Sequence, residues 1–440
     1  MKKLIVFLFL VICGIARVQS QSMQDTVSSE DKLYALSMIW KEADYNFAFF
    51  DRQPQLNWDS LYRAYIPKIL KTKNVLEYFR VLSSFTKQLK DGHTSVMTQQ
   101  FYWNEIDSPP VEAILYQGKR YVTAVEVSLK DSIPVGSEIV KFNGQNWNDF
   151  SAGEGWFYFN NTPLTLSIIT PEKKATNVTI LRNQNLLFRA HTLKWYPVQA
   201  QSANFDFKYQ SLSPKIAYVA INTFGDSTMV DSFKKVLPQL RKHKTLIFDI
   251  RKNSGGNDDY AIQIAKYLTG KPFMLGPQWR ARTSNAAKRA WESADKVLYK
   301  KDVKTLYLSR DSWEVHPSDT ISIADTLKRL NMPVFILTSA NTASAAEDFL
   351  IYLLGSKNVT RVGQTTAGTS GQPEFFEIPK GFTVRICAKR DALPNGTDYI
   401  NIGIKPDVPV EPFVSLKGEV KDVEMEKSLK LIKTGMLKSK

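Results

Sequence analysis

Apolar residues recur at helical spacing over Asp31–Asp44 (Leu33, Leu36, Ile39, Trp40) and again over Asn74–Lys90, which predicts two amphipathic helices. Between them, Asn57-Trp58-Asp59-Ser60 has the form of a helix start, a capping side chain followed by an acidic first turn. Residues 21–98 therefore read as a small helical module, ending in Leu89-Lys90-Asp91-Gly92-His93-Thr94-Ser95-Val96. From Pro109-Pro110 the period shortens. Arg120–Val127, Ser137–Gly144 and Asn177–Asn183 alternate and are bounded by Gly, Asn or Pro, so 99–205 reads as a β-rich insert. From about 206 strands and helices take turns. Lys215–Phe224 is a strand, Met229–His243 an amphipathic helix, Thr245–Ile250 a buried strand and Asp259–Leu268 a helix. The apolar run Pro333–Thr338 then feeds a helix from Ala343. That alternation predicts an α/β core over 206–416, followed by a basic tail over 417–440.

A length of 440 residues with 43% hydrophobic and 23% charged content allows several domains and a sizeable core. The one segment apolar enough to engage a membrane is the first. Met1-Lys2-Lys3 is basic, Leu4–Ile15 is apolar, and Val18-Gln19-Ser20 puts small residues before a cut at Gln21. Residues 1–20 thus read as a cleavable secretory signal, too short to span, and the mature chain is expected to be periplasmic or secreted. Ile12 before Cys13 fits lipoprotein processing poorly. Cys387 alone cannot form an internal disulfide, and His93, His191, His243 and His316 form no metal-ligand pattern, so neither zinc nor any other cofactor is expected. The formal charge of +15 falls to about +12 without Lys2, Lys3 and Arg17. Its basic residues are scattered, with mild concentration at 279–304 and in the tail. That argues against nucleic acid and fits at most a loose association with anionic envelope surfaces.

Candidate chemistry gathers in three stretches. In Asp249-Ile250-Arg251-Lys252-Asn253-Ser254-Gly255-Gly256 a strand ends in a loop whose glycines let backbone N–H groups approach an anion. An ordinary βα turn explains it equally well in isolation. In Thr338–Leu350 small residues crowd a strand-to-helix junction around Ser344, with Ala345 following and Glu347 three residues on. This leaves one hydroxyl accessible near a helix N-terminus, and it also satisfies a plain capping box. The third, Gly92-His93-Thr94, offers a base to any serine nucleophile, although a lone histidine is more often structural.

Taken together, Asp-x-Arg-x-Asn-x-Gly-Gly (249–256), Ser-Ala-x-Glu (344–347) and the upstream Asp-Gly-His-Thr (91–94) resemble the serine peptidases of the C-terminal processing (tail-specific) and tricorn-core family. The resemblance covers nearly the whole mature chain. It implies a crotonase-like α/β catalytic core, an N-terminal helical module and a PDZ-like insert, whose Gly136–Gly144 resembles the latter half of a PDZ domain. It places the nucleophile at Ser344 and oxyanion donors at the N–H of Ala345 and of Gly255 or Gly256, with Glu347, Asp249, Arg251 and Asn253 supporting. Two departures matter. In Gly363–Gly371, Thr369 stands where the processing branch has its lysine, which turns the expectation to the histidine-using, tricorn-like branch and to His93. In Tyr399–Asp407, Ile400 occupies the place of that branch's glutamate, with Asp398 and Asn401 nearby, so the third relay member is missing or comes from elsewhere.

The expected function is an exported serine endopeptidase, with Ser344 as nucleophile, His93 as general base, and a protein or peptide substrate. A binding protein on a decayed site, or an acyl-ester hydrolase, would share the scaffold. An unperturbed imidazole would give an acid limb with an apparent pKa of roughly 6–7.

Overall fold

The computed structural model describes residues 22–98, 106–107, 110–116, 118–146, 158–159, 163–180, 195–196, 205–283, 313–413 and 421–435. The segment expected to be a secretory signal, His191, most of the basic stretch 279–304 and both ends of the expected tail lie outside the described residues.

Helix α1 (Ser29–Asn46), α2 (Trp58–Leu70) and α3 (Val75–Lys87) form the N-terminal module. Each start is capped by a short polar side chain: Ser28 accepts from the Asp31 N–H, Asn57 from Ser60 and Asn74 from Glu77. After α3 the chain turns through His93 into strand β1 (Ser95–Met97). The insert builds its own sheet from Val111–Tyr116, Lys119–Glu126, Glu138–Phe142, Leu164–Ile169 and Ala175–Ile180, around a separate core that includes Val122, Ile139, Phe142, Leu166 and Ile168. Asn143 and Gly144 both take positive φ (47° and 82°), the tight hairpin turn that the Asn-Gly pair favours.

The central sheet holds β2 (Phe207–Ser213), β3 (Ile216–Ile221), β4 (Thr245–Asp249), β5 (Val334–Thr338) and β6 (Val359–Gly363), closed by a short strand at Val408–Pro409. Only β2 is antiparallel; Ile247 pairs with Phe335 and Asp249 with Leu337 in the parallel part. Every residue of β4 and β5 is buried, as both faces are covered. Leu246, Phe248, Val334 and Ile336 face the large core under α4 (Thr228–Leu240), α5 (Asp258–Leu268) and α6 (Ala345–Tyr352). The alternate residues Ile247, Phe335, Leu337 and Val362 face a second layer.

That second layer is a helix in the segment expected to be a basic tail. Helix α7 (Val423–Thr434) lays Met425, Leu429 and Ile432 on this face. Arg251, just beyond β4, donates to Asp249, to Asp422 (2.6 Å) and to Glu424 (3.1 Å), fixing the start of α7 to the end of the strand.

The N-terminal module shares the large core with the α/β region. A three-stranded antiparallel sheet joins them: β1 pairs with β8 (Phe382–Cys387), which pairs with β7 (Pro373–Ile378), and β9 (Lys389–Ala392) follows. Tyr78 and Phe79 of α3 pack on Phe382, with ring centroids 6.0 and 5.3 Å away.

Candidate active site

Ser344 stands between β5 and α6 with φ 55° and ψ −129°. A non-glycine residue at positive φ is uncommon and costs of order 1 kcal/mol or more, so this is not the extended backbone of an ordinary serine cap. Several bonds hold it there. The Ser344 N–H donates to the Thr369 carbonyl at 2.8 Å and, more weakly, to Glu347 Oε2 at 3.3 Å. The preceding Ala343 N–H donates to the Asn253 carbonyl at 3.1 Å.

Glu347 is fully buried and organises the neighbouring loop. Besides Ser344 it accepts from the Thr366 hydroxyl, from the Gly368 N–H (2.9 Å) and from the Thr369 N–H (2.9 Å). Burial raises its pKa, and these donors oppose the rise by favouring the carboxylate.

His93 reaches the same point from the other end of the chain. Asp91 Oδ2 accepts from the His93 N–H (3.1 Å) and the Thr94 hydroxyl (2.7 Å), forming a tight turn. The Thr94 hydroxyl in turn accepts from the Cys387 N–H at 3.1 Å, and Arg385 donates to the Gly92 carbonyl (2.9 Å) and the Ser95 hydroxyl (2.8 Å). So pinned to β8, the imidazole lies with Nε2 3.2 Å from Ser344 Oγ and Nδ1 2.8 Å from Thr369 Oγ1. It is only 8% exposed. Burial first, then the positive charges of Arg385 and Lys389, lower its pKa to about 4. This departs from the unperturbed imidazole behind the expected acid limb at 6–7: a buried imidazole among cations resists protonation.

The glycine loop closes the site. Asn253 is buried, donates to the Ile221 carbonyl (3.2 Å) and accepts the Gly255 N–H (2.9 Å). That occupies the Gly255 N–H and corrects its candidacy as an oxyanion donor. Among the described residues the N–H groups of Gly256 and Ala345 have no acceptor. Gly255 is needed for approach instead: at φ 105°, a Cβ on it would lie 2.6 Å from Ser344 Cβ. Gly256, at φ 139°, lies against the Phe224 backbone, where a Cβ would meet the carbonyl carbon at 2.2 Å.

Ser344, His93, Gly255, Gly256, Ala345, Glu347 and Asn253 are therefore brought together, whereas Asp249 and Arg251 sit at the far end of the loop, tied to α7. Ile400 is buried. Asp398 is engaged by Arg52 and Arg390, and the Asn401 N–H donates to the Gly368 carbonyl. The atom that fills the place at His93 Nδ1 belongs to Thr369, noticed in the sequence only for not being lysine. Among the described residues no group of three or more His, Cys, Asp or Glu could hold a metal ion.

This geometry coincides with a family match: the model of peptidase family S41 fits residues 215–410. Residues 215–410 are a peptidase family S41 domain. The S41 domain is of the serine-peptidase class and contains Ser344, Ala345, Glu347, Asn253, Gly255, Gly256 and Thr369, whereas His93 and the turn that holds it precede the domain. Chloroplastic carboxyl-terminal-processing peptidase 2 of Arabidopsis thaliana is 25% identical over 202 residues, 46% of this chain and 33% of that protein. The chain thus spans about a third of the length of the curated relatives it matches. Mature CPAF has a similar fold, with a TM-score of 0.64 and 15% identity over 93% of this chain and 98% of that one. The photosystem II D1 C-terminal processing protease gives a TM-score of 0.51 and 16% identity over 92% and 97%. At these identities the likeness to the two structures is one of fold. No helix among the described residues is long and apolar enough to cross a membrane.

Proposed function

We propose that this protein is an exported serine endopeptidase of the histidine-using branch, cleaving protein or peptide substrates in the periplasm or outside the cell. The observation that carries this reading is the 3.2 Å approach of Ser344 Oγ to His93 Nε2, with the neighbouring N–H groups of Gly256 and Ala345 lacking acceptors among the described residues. Ser344 Oγ attacks the scissile carbonyl carbon while its proton passes to His93 Nε2. The carbonyl π electrons move onto oxygen, where the N–H groups of Gly256 and Ala345 receive the negative charge. Collapse of this intermediate breaks the C–N bond, and the imidazolium gives its proton to the leaving amine. A water then repeats the sequence on the acyl-enzyme, with His93 as base, and releases Ser344. On this reading the α/β region is a crotonase-like core, the insert is PDZ-like, and residues 1–20 direct export.

Two measurements test the proposal. A fluorophosphonate probe is expected to label the protein at Ser344 and not to label the Ser344→Ala variant. New protein termini are expected in a proteome treated with the mature protein and absent with Ser344→Ala. Hydrolysis that survives Ser344→Ala refutes the assignment, and labelling with simple-ester turnover but no peptide turnover makes the protein an acyl-ester hydrolase.

A further inference from the structure

The resembled branches use either a lysine base or a histidine backed by a glutamate, and this chain has Thr369 and Ile400 at those two places. Ile400 is buried and apolar, and Asp398 is held by arginines. Yet His93 needs an acceptor. If Nε2 is to take the Ser344 proton, the neutral ring must carry its hydrogen on Nδ1, and that buried N–H needs a partner. Thr369 Oγ1, at 2.8 Å, supplies it.

We propose, on the basis of the serine-peptidase reading, that Thr369 is the positioning residue of the base, its neutral hydroxyl selecting the Nδ1–H tautomer of His93. The rest of the residue suits this role. Its carbonyl accepts the Ser344 N–H at 2.8 Å and its N–H donates to Glu347 at 2.9 Å, so one residue sets the nucleophile and the base against each other. Space has been cleared for the hydroxyl: a Cβ on Gly92, the residue before His93, would lie 2.5 Å from Thr369 Oγ1. Gly92 is not among the positive-φ residues, so this proximity, rather than its backbone angle, is what calls for glycine there.

A hydroxyl also differs from a carboxylate in what it leaves undone: it orients the ring without a counter-charge for the imidazolium. The charged groups around the ring are Arg385 on β8 and Lys389 on β9, with Asp91 on the ring's own loop and Glu347 of α6 behind the Thr369 N–H. A carboxylate at 369 would stand beside buried Glu347, an unfavourable like-charge pair.

Thr369→Val keeps the shape and removes the acceptor. Because Thr369 is proposed to act through His93, kcat is expected to fall ~10- to 100-fold with KM within about 2-fold. Thr369→Ser is expected to recover kcat to within a few-fold, and Gly92→Ala to lower kcat as Thr369→Val does. In wild-type protein carrying ¹⁵N-histidine, the His93 resonances are expected to be those of the Nδ1–H tautomer, and this reading needs no variant to fold. Wild-type kcat in Thr369→Val, a Thr369→Ser as impaired as Val, or a wild-type ring in the Nε2–H form would each overturn the proposal. If Ser344→Ala retains hydrolysis, it is the peptidase assignment that fails; if Ser344→Ala is dead while Thr369→Val turns over normally, only the role of Thr369 does.

Discussion

A histidine base ordinarily switches off near pH 6.5, but His93 is buried beside Arg385 and Lys389, and its pKa falls to about 4. The distance between those values, ~2.5 pH units at ~1.4 kcal/mol each, is about 3 kcal/mol of preference for the neutral ring. Titration therefore has two readable consequences. The pH profile of kcat/KM, which reports the free enzyme, should be level down to about pH 5 and half-maximal near 4. Stability should move as well. Between pH 4 and 6.5 the unfolded chain binds a proton at this position and the folded chain does not, so folding strength contributed here is complete above 6.5 and is lost as pH falls toward 4. The buried carboxylates Asp348 and Asp391, whose pKa values burial raises, act in the opposite sense over that range, so the wild-type curve alone is ambiguous. The informative quantity is its difference from His93→Gln in urea unfolding, which should narrow by up to about 3 kcal/mol between pH 7.5 and 4. A kcat/KM limb at pH 6–7, or a parallel pair of unfolding curves, refutes the argument.

Three further outcomes can be checked together. Gly255→Ala and Gly256→Ala each force a Cβ into occupied space; both should lower the melting temperature, and displacement of the Gly256 N–H should cost at least ~100-fold in turnover, whereas full activity in Gly256→Ala would show that the loop tolerates rearrangement. Glu347→Gln turns an amide toward donors that now meet a carboxylate, so at about 1–3 kcal/mol per orphaned N–H it should destabilise by ~2–4 kcal/mol in urea; an unchanged midpoint contradicts the network described. Arg251→Ala leaves three carboxylates, Asp249, Asp422 and Glu424, without their shared cation; a loss of ~3 kcal/mol and earlier proteolysis of the C-terminal segment are expected, and a wild-type digestion pattern would count against the clamp.

What the sequence disclosed and what it concealed divide along physical lines. Leu246, Ile247, Phe248 and their neighbours in β5 form unbroken apolar runs because both faces of the sheet are covered, and such runs are conspicuous. Ser344, His93 and the glycine pair were legible through short motifs whose spacing is local. Helix α7 was not: its apolar Met425, Leu429 and Ile432 are diluted by lysines and glutamates, and a basic tail was the simpler reading. Thr369 was invisible as a partner of His93, since that contact spans 276 residues and threonine carries no catalytic signature. Nor could the spent N–H of Gly255 be foreseen, because it depends on which way the Asn253 side chain turns.

The proposed nucleophile Ser344 and the proposed base His93 are separated by 251 residues, and only Ser344 belongs to the S41 domain. A fragment carrying residues 215–410 would have Ser344 without His93, the imidazole that stands 3.2 Å from its hydroxyl. During synthesis, likewise, His93 leaves the ribosome long before Ser344 exists, and the two meet only when α3 and β1 settle on β8. On the proposed reading, hydrolytic competence is a reporter of finished tertiary assembly: a half-built chain lacks the approach of His93 to Ser344 and is silent.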